Sequence, residues 1–192
     1  MERNIMVAAR EKVLHSMVNK TFIPEGEAAP ASQIGATLEA LAATIAARRD
    51  ADEASYTYRL LTGNVDGVLK KVMEESGEVA LAAKDVEGWA TSSLAAAVAL
   101  EATEAGGTTT GAETADGGAD FPLSVQLPPE YGEAVDHLRY EAADVVYHLL
   151  VVLERYGITL DEFAAELNNR MTEGERPHGA VRLHDEFVRR GK

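Results

Sequence analysis

Two acidic motifs on two predicted helices are the residues of this sequence most suited to chemistry. The first reads Glu-Glu-x-x-Glu from Glu74 to Glu78, and the second reads Glu-x-x-Asp from Glu141 to Asp144. Residues three or four positions apart share a helix face, so each motif presents carboxylates side by side. Carboxylates that converge on a core repel one another unless something compensates their charge. A divalent cation such as Mg²⁺, which takes oxygen ligands, is the expected compensator.

Each acidic motif lies within an apolar stripe that is typical of a helix packed against a core. Apolar residues recur every three or four positions, and some acidic residues fall in line with them. The first stripe is Val68, Val72, Glu75, Val79 and Ala82, and the second is Leu138, Glu141, Val145, His148 and Val152. We therefore expect Glu75 and Glu141 to face the interior. For His148 we expect a core histidine with satisfied hydrogen bonds, because magnesium sites rarely use imidazole.

The remaining sequence predicts further helices around these two. They cover about residues 1–20, 32–49, 56–61, 65–84, 133–156 and 160–171, from the spacing of apolar residues and the capping signals. Ser32 and Asn64 are suited to begin helices, Gly157 to end one, and Thr159 with Glu162 forms a capping box. No segment shows a convincing strand pattern. We predict an all-α protein, an antiparallel helical bundle whose ligands project inward from facing helices.

Composition limits the possible partners and locations. The chain has 192 residues, no cysteine and a net charge of −14, which argues against binding nucleic acid through a basic face. The segment 86–135 contains no Lys or Arg, and its middle is rich in Gly, Thr and Ala, as in a flexible loop. No apolar run is long enough to span a membrane. We expect a soluble, cytoplasmic protein with no membrane or nucleic-acid partner.

Three segments beside the acidic motifs match a known family. They are Ser55-Tyr56-Thr57, Lys70-Lys71-Val72 and Tyr147-His148-Leu149-Leu150. With these segments the chain resembles the phosphoribosyl-ATP pyrophosphohydrolase family, of the all-α nucleoside-triphosphate pyrophosphohydrolase superfamily. The resemblance implies that fold, and Mg²⁺-dependent hydrolysis of phosphoribosyl-ATP to phosphoribosyl-AMP and pyrophosphate, the second step of histidine biosynthesis. It also implies a homodimer or a larger homo-oligomer.

The resemblance assigns roles to individual residues. It implies that Glu75, Glu78, Glu141 and Asp144 bind the metal, directly or through water. Glu74 and Glu75 are the expected catalytic residues, with Glu74 either a further ligand or the general base. The expected substrate-binding residues are Ser55, Tyr56, Thr57, Lys70, Lys71, Lys84 and Arg170. Simpler roles stay open for several of them, because Ser55 to Thr57 can cap a helix and the two lysines can pair with Glu74 and Glu75.

The predicted organisation is one domain with appendages. Residues 1–30 form an N-terminal extension, 31–172 the pyrophosphohydrolase domain and 173–192 a C-terminal tail. Within the domain, the acidic segment 86–135 is a long inserted loop that family members usually lack. Two other functions remain open from the sequence: a house-cleaning pyrophosphohydrolase acting on dUTP, dCTP or damaged nucleotides, and a non-catalytic helical interaction protein.

Overall fold

The computed structural model describes residues 20–105 and 127–188. Five α-helices lie in these ranges: α1, Gln33–Ala47; α2, Tyr56–Thr62; α3, Val65–Ala105; α4, Pro129–Arg155; and α5, Leu160–Arg170. Short 3₁₀ turns occur at Arg48–Asp50 and Asp185–Phe187. The described ranges contain no strand, which confirms the all-α prediction. The helix expected near the N-terminus and the loop expected after Ala105 lie outside these ranges.

The helices begin where the sequence places capping residues. The hydroxyl oxygens of Ser32 and Ser55 each accept the backbone N–H three residues further on, at 3.1 and 3.3 Å. Asn64 accepts an N–H in the first turn of α3 at 3.0 Å. Thr159 and Glu162 form the expected capping box at the start of α5. These contacts satisfy amide groups that have no partner within their own helix.

Helix α3 is much longer than the sequence prediction. A helix ending at about Lys84 was expected, but α3 continues to Ala105 and has 41 residues. The residues beyond Lys84 include no proline and many alanines, so nothing in the chain stops the helix there. Helix α4 begins at Pro129 rather than near Glu133, because proline is well tolerated at the first helical position, where its missing N–H is not needed. The described ends of segment 86–135 are therefore helical.

The internal contacts divide the chain into two units. Of the described residues, unit A comprises 23–75 and 143–188, and unit B comprises 20–22, 76–105 and 127–142. The division falls within α3 and α4. Each unit has its own apolar cluster: in unit A it is Ile45, Leu60, Leu61, Val68, Leu150 and Val151, and in unit B it is Val86, Ala90, Tyr131 and Ala134.

Within unit A, the start of α3 packs against the end of α4. Val68 joins the cluster that contains Leu150 and Val151, while Glu75, two turns later, lies near His148. The order of contacts is reversed along the two helices, so they run antiparallel in this unit. This arrangement brings the start of the first acidic motif to the second half of α4.

Arg155 fixes α2 against the end of α4. Its guanidinium donates to the carbonyl oxygens of Leu60, Leu61 and Gly63 at 2.8, 2.9 and 2.7 Å. The last carbonyls of a helix lack donors within that helix, and a planar guanidinium can serve several of them at once. The end of α2 is thereby held beside α4. In the described part of the chain, no helix is long and apolar enough to cross a membrane.

Candidate active site

Glu75 and Asp144 form the centre of the candidate site in unit A. Glu75 is 5 % exposed, and Asp144 is half-buried on α4. One carboxylate oxygen of each lies within 4.8 Å of the other. Two carboxylates this close in a low-dielectric environment are unfavourable unless a cation or a proton compensates them. The arrangement is therefore suited to binding a cation.

Glu141 lies one helical turn before Asp144 on α4 and is also buried. Its Oε1 lies 2.9 Å from Nε2 of His137, one turn earlier on the same helix. Within unit A, Glu75 and Asp144 are the acidic group that could hold a metal ion. Both of them, like Glu141, offer carboxylate oxygen, which is the donor that Mg²⁺ prefers. The donor set thus fits the expected ion.

Two lysines of α3 offset part of the negative charge of the first acidic motif. Nζ of Lys71 lies 3.2 Å from Oε1 of Glu75 and 3.2 Å from Oε2 of Glu74, and Nζ of Lys70 lies 3.1 Å from Oε1 of Glu74. Hydrogen bonds from Lys70 and then Lys71 hold the pKa of Glu74 below its usual value. The hydrogen bond to Glu75 and then that to Glu74 raise the pKa of Lys71. The pairing that the sequence left open for both lysines is present in the structure, and their contact with substrate stays a prediction.

His148 connects α4 to the start of α2. Its Nδ1 lies 2.9 Å from the backbone oxygen of Asp144, and its Nε2 lies 3.1 Å from the hydroxyl of Tyr56. A carbonyl oxygen can only accept, so Nδ1 carries a proton, and a neutral ring can then accept the Tyr56 hydroxyl at Nε2. Burial raises the pKa of Tyr56. The prediction of a satisfied core histidine is confirmed.

The neighbouring residues of α2 also have structural partners. The hydroxyl of Thr57 lies 2.6 Å from that of Tyr147, so α2 and α4 share a second side-chain hydrogen bond. Ser55 caps α2, which confirms the capping role. Substrate contact by Ser55, Tyr56 and Thr57 remains a prediction. The contacts of Tyr56 with His148 and of Thr57 with Tyr147 hold the start of α2 against α4.

Three further residues that the sequence predicts for the site are exposed, and none of them belongs to the acidic group. Glu78 is exposed, since it lies away from the buried stripe of α3. Lys84 is exposed and belongs to unit B. Arg170, on α5, is exposed and pairs with Glu166 at 3.0 Å. Their predicted roles would have to involve water or more distant parts of a substrate.

His137 and Tyr147 are site neighbours that the sequence reasoning missed. His137 precedes Glu141 by four residues, a spacing that places two side chains on one helix face and could have identified it. Tyr147 is 90 positions away from its hydrogen-bond partner Thr57, and no local sequence pattern predicts such a contact.

The comparisons with known proteins are consistent among themselves. The model of the phosphoribosyl-ATP pyrophosphohydrolase family matches residues 38–171. A phosphoribosyl-ATP pyrophosphatase from Paracidovorax citrulli is 33 % identical over 148 residues, which is 74 % of this chain and 76 % of the relative. Another phosphoribosyl-ATP pyrophosphatase, from Limosilactobacillus fermentum, is 31 % identical over 134 residues, 69 % of this chain and 82 % of the relative.

A shorter match links the chain to a fused enzyme. The histidine biosynthesis bifunctional protein HisIE from Deinococcus radiodurans is 48 % identical over 60 residues, which is 31 % of this chain and 28 % of the relative. No solved structure matches the chain.

Proposed function

The chain belongs to the phosphoribosyl-ATP pyrophosphohydrolase family, and from this premise we propose that it hydrolyses the α–β phosphoanhydride bond of phosphoribosyl-ATP. The products are phosphoribosyl-AMP and pyrophosphate, and the reaction is the second step of histidine biosynthesis. The observation that best supports this function is the close pair of Glu75 and Asp144, with Glu75 buried. A buried pair of carboxylates suits a site for a metal and a polyphosphate. A cytoplasmic location is part of the same proposal.

The proposed metal is Mg²⁺, held by Glu75, Glu141 and Asp144, with Glu78 reaching it through water. The oxygen-only donor set supports this choice, because Mg²⁺ keeps several waters and binds through a few carboxylates together with substrate phosphates. When bound, the ion would offset the charge of the triphosphate and polarise the bond that breaks.

Glu74 has one of two roles in this reaction, that of a further metal ligand or that of the general base. Its lowered pKa keeps it ionised at neutral pH, as either a further ligand or a general base must be. The same lowering makes it a weaker base while both lysines remain paired with it. A general base must also lie within hydrogen-bond reach of the attacking water, and the exposed side of Glu74 allows water to approach.

The remaining predicted residues would bind the substrate. Lys70 and Lys71 lie beside the acidic group and offer positive charge to the phosphates. Tyr56 and Thr57 present hydroxyls on the same side of unit A, and Ser55 shapes the turn before them. Lys84 and Arg170 are proposed to contact the outer parts of phosphoribosyl-ATP.

A homodimer or a larger homo-oligomer is also part of the proposal. Two large apolar side chains near the start of α3 are exposed: Leu69 by 43 % and Met73 by 77 %. They are four residues apart, so they form a short apolar stripe on one face of the helix. Apolar side chains clustered at the surface in this way often contact another subunit. A second copy of α3 is the partner we propose.

Product analysis with purified protein tests the proposed reaction. We expect phosphoribosyl-ATP to yield phosphoribosyl-AMP and pyrophosphate in the presence of Mg²⁺, and no pyrophosphate with EDTA. Parallel reactions with dUTP and dCTP separate this function from that of a house-cleaning pyrophosphohydrolase. A clear preference for a free deoxynucleotide would reject phosphoribosyl-ATP as the substrate. Inactivity towards all three nucleotides would leave the non-catalytic interaction protein as the better explanation.

A further inference from the structure

The ammonium group of Lys71 occupies the edge of the candidate metal site. It lies 3.2 Å from Oε1 of Glu75 and 3.2 Å from Oε2 of Glu74, so one positive charge serves two carboxylates. Lys71 precedes Glu75 by four residues and Glu74 by three, and these spacings bring all three side chains together on α3. The Glu75 side chain is 7 % exposed, whereas that of Lys71 is 39 % exposed. The buried carboxylate is thus reached by a cation that enters from the solvent side.

Other groups near Glu75 do not supply this charge. Nδ1 of His148 lies 3.8 Å from Oε1 of Glu75, but it is closer to the backbone oxygen of Asp144, and a neutral ring satisfies both contacts of His148. Asp144 brings a second negative charge within 4.8 Å. Lys70 is 75 % exposed and pairs with Glu74. Among the described residues, Lys71 is the lysine or arginine that forms an ion pair with Glu75.

We propose that Lys71 neutralises Glu75 in the free protein, and that its ammonium moves from Glu75 to a substrate phosphate when the divalent cation binds. This inference rests on the proposed function, because it takes Glu75 to be a metal ligand. An ammonium and a divalent cation repel each other, so they compete for the same carboxylate oxygen. The lysine stem is flexible and its head is a compact point charge, so the ammonium can move outward without disturbing α3.

This exchange explains why a buried acidic residue can be tolerated before the metal arrives. Removing one partner of a buried ion pair leaves an uncompensated charge, which is strongly unfavourable. Lys71 avoids that state in the free protein and becomes available to phosphate in the loaded protein. Binding of the metal and binding of the nucleotide are thereby linked through Lys71, because each of them favours the position of the ammonium away from Glu75.

Calorimetric titration of the free protein with MgCl₂, without nucleotide, tests the exchange directly. In Lys71→Gln the competing ammonium is gone, so we expect the Kd for Mg²⁺ to fall about twofold to fivefold. Arg48→Gln is the control, because it removes one exposed positive charge outside both acidic motifs, and it should leave the Kd for Mg²⁺ unchanged. Lys71→Arg keeps the charge and should restore a Kd close to that of the wild type.

The affinity for the nucleotide is a second readout, and it should change in the direction opposite to the affinity for Mg²⁺. Lys71→Gln should raise the KM for phosphoribosyl-ATP while lowering the Kd for Mg²⁺, whereas a damaged fold would weaken both. Circular dichroism of each variant checks that the helices form, and Lys71→Arg remains informative where Lys71→Gln does not fold. An unchanged or higher Kd for Mg²⁺ in Lys71→Gln overturns the exchange, and so does the absence of Mg²⁺ binding in every variant. Lys71→Gln could bind Mg²⁺ more tightly than the wild type although the wild type does not hydrolyse phosphoribosyl-ATP. That result would reject the proposed reaction and still support the displacement of Lys71 by the metal.

Discussion

The burial of individual acidic residues follows from their position within the helical repeat. Glu75 and Glu141 fall on stripes of apolar residues, and both are buried as the spacing predicts. Glu78 belongs to the same motif but comes three residues after Glu75, so it is turned by about 60° on a helix of 3.6 residues per turn, and it is exposed. Periodicity therefore distinguished the inner from the outer carboxylates. It could not show that Lys71 approaches Glu75 from solvent, because that depends on the side-chain conformation.

Neutralising an inner carboxylate should remove activity without unfolding the protein. In Glu75→Gln and Glu141→Gln, an amide replaces a charged ligand, and we expect Mg²⁺-dependent hydrolysis of phosphoribosyl-ATP to fall by about 100-fold or more. Because repulsion among the acidic residues decreases, the thermal midpoint of the metal-free variants should equal or exceed that of the wild type. Pyrophosphate release and circular dichroism melting measure the two effects.

The control for these variants is Glu130→Gln, an exposed residue in the first turn of α4. It makes the same chemical change away from the acidic group and should retain wild-type activity. Full activity in both Glu75→Gln and Glu141→Gln would refute the assignment of metal ligands.

Among the elements, the helix starts were predicted more accurately than the helix ends. Ser32, Ser55, Asn64 and Thr159 all accept backbone N–H groups where the sequence expects caps, because capping is a local interaction. The predicted end of α3 at about Lys84 was wrong, because no proline lies there and the alanine-rich residues beyond it favour a helix. The start of α4 was placed four residues too late for a different reason: a proline such as Pro129 can stop a helix or begin one.

The capping box of α5 should make stability depend on pH. Hydrogen bonds from the backbone N–H and the hydroxyl of Thr159 hold the pKa of Glu162 below its usual value. A carboxyl group whose pKa is lowered by folding stabilises the protein above its unfolded pKa, and this contribution is lost as the pH falls through the folded pKa. We therefore expect Glu162→Gln, which keeps an acceptor oxygen but no charge, to lower the thermal midpoint at pH 7.

The pH series itself provides the control for this variant. The midpoints of wild type and Glu162→Gln should converge as the pH is lowered through the folded pKa of Glu162, which lies below the usual pKa of a glutamate. The exposed Asp161→Asn, in the same first turn, tests for a general effect of charge near the helix start. A difference between wild type and Glu162→Gln that stays constant down to the lowest pH would show that the charge of Glu162 is not involved.

At the scale of the whole molecule, the sequence indicates the class of fold but not the long-range pairing. Composition and periodicity predict helices, and the described ranges contain helices without strands. Contacts such as those of Thr57 with Tyr147 and of Arg155 with the last carbonyls of α2 join residues about 90 positions apart. These pairs depend on how α2 and α4 pack, which no local pattern specifies. The division of the chain into two units within α3 and α4 was likewise not predicted.

Assembly through α3 should be sensitive to a single charge. Met73, at 77 % exposure, is the more exposed residue of the apolar stripe formed with Leu69. A glutamate at this position would bury a charge against a second copy of α3, and such burial is strongly unfavourable without a partner. We expect the wild type to have at least twice the mass of one chain in size-exclusion chromatography with light scattering, and Met73→Glu to shift towards a single chain. Ile34→Glu, which places the same charge on an exposed apolar position of α1, should leave the mass unchanged. Equal masses for wild type and Met73→Glu would exclude this stripe as the contact between subunits.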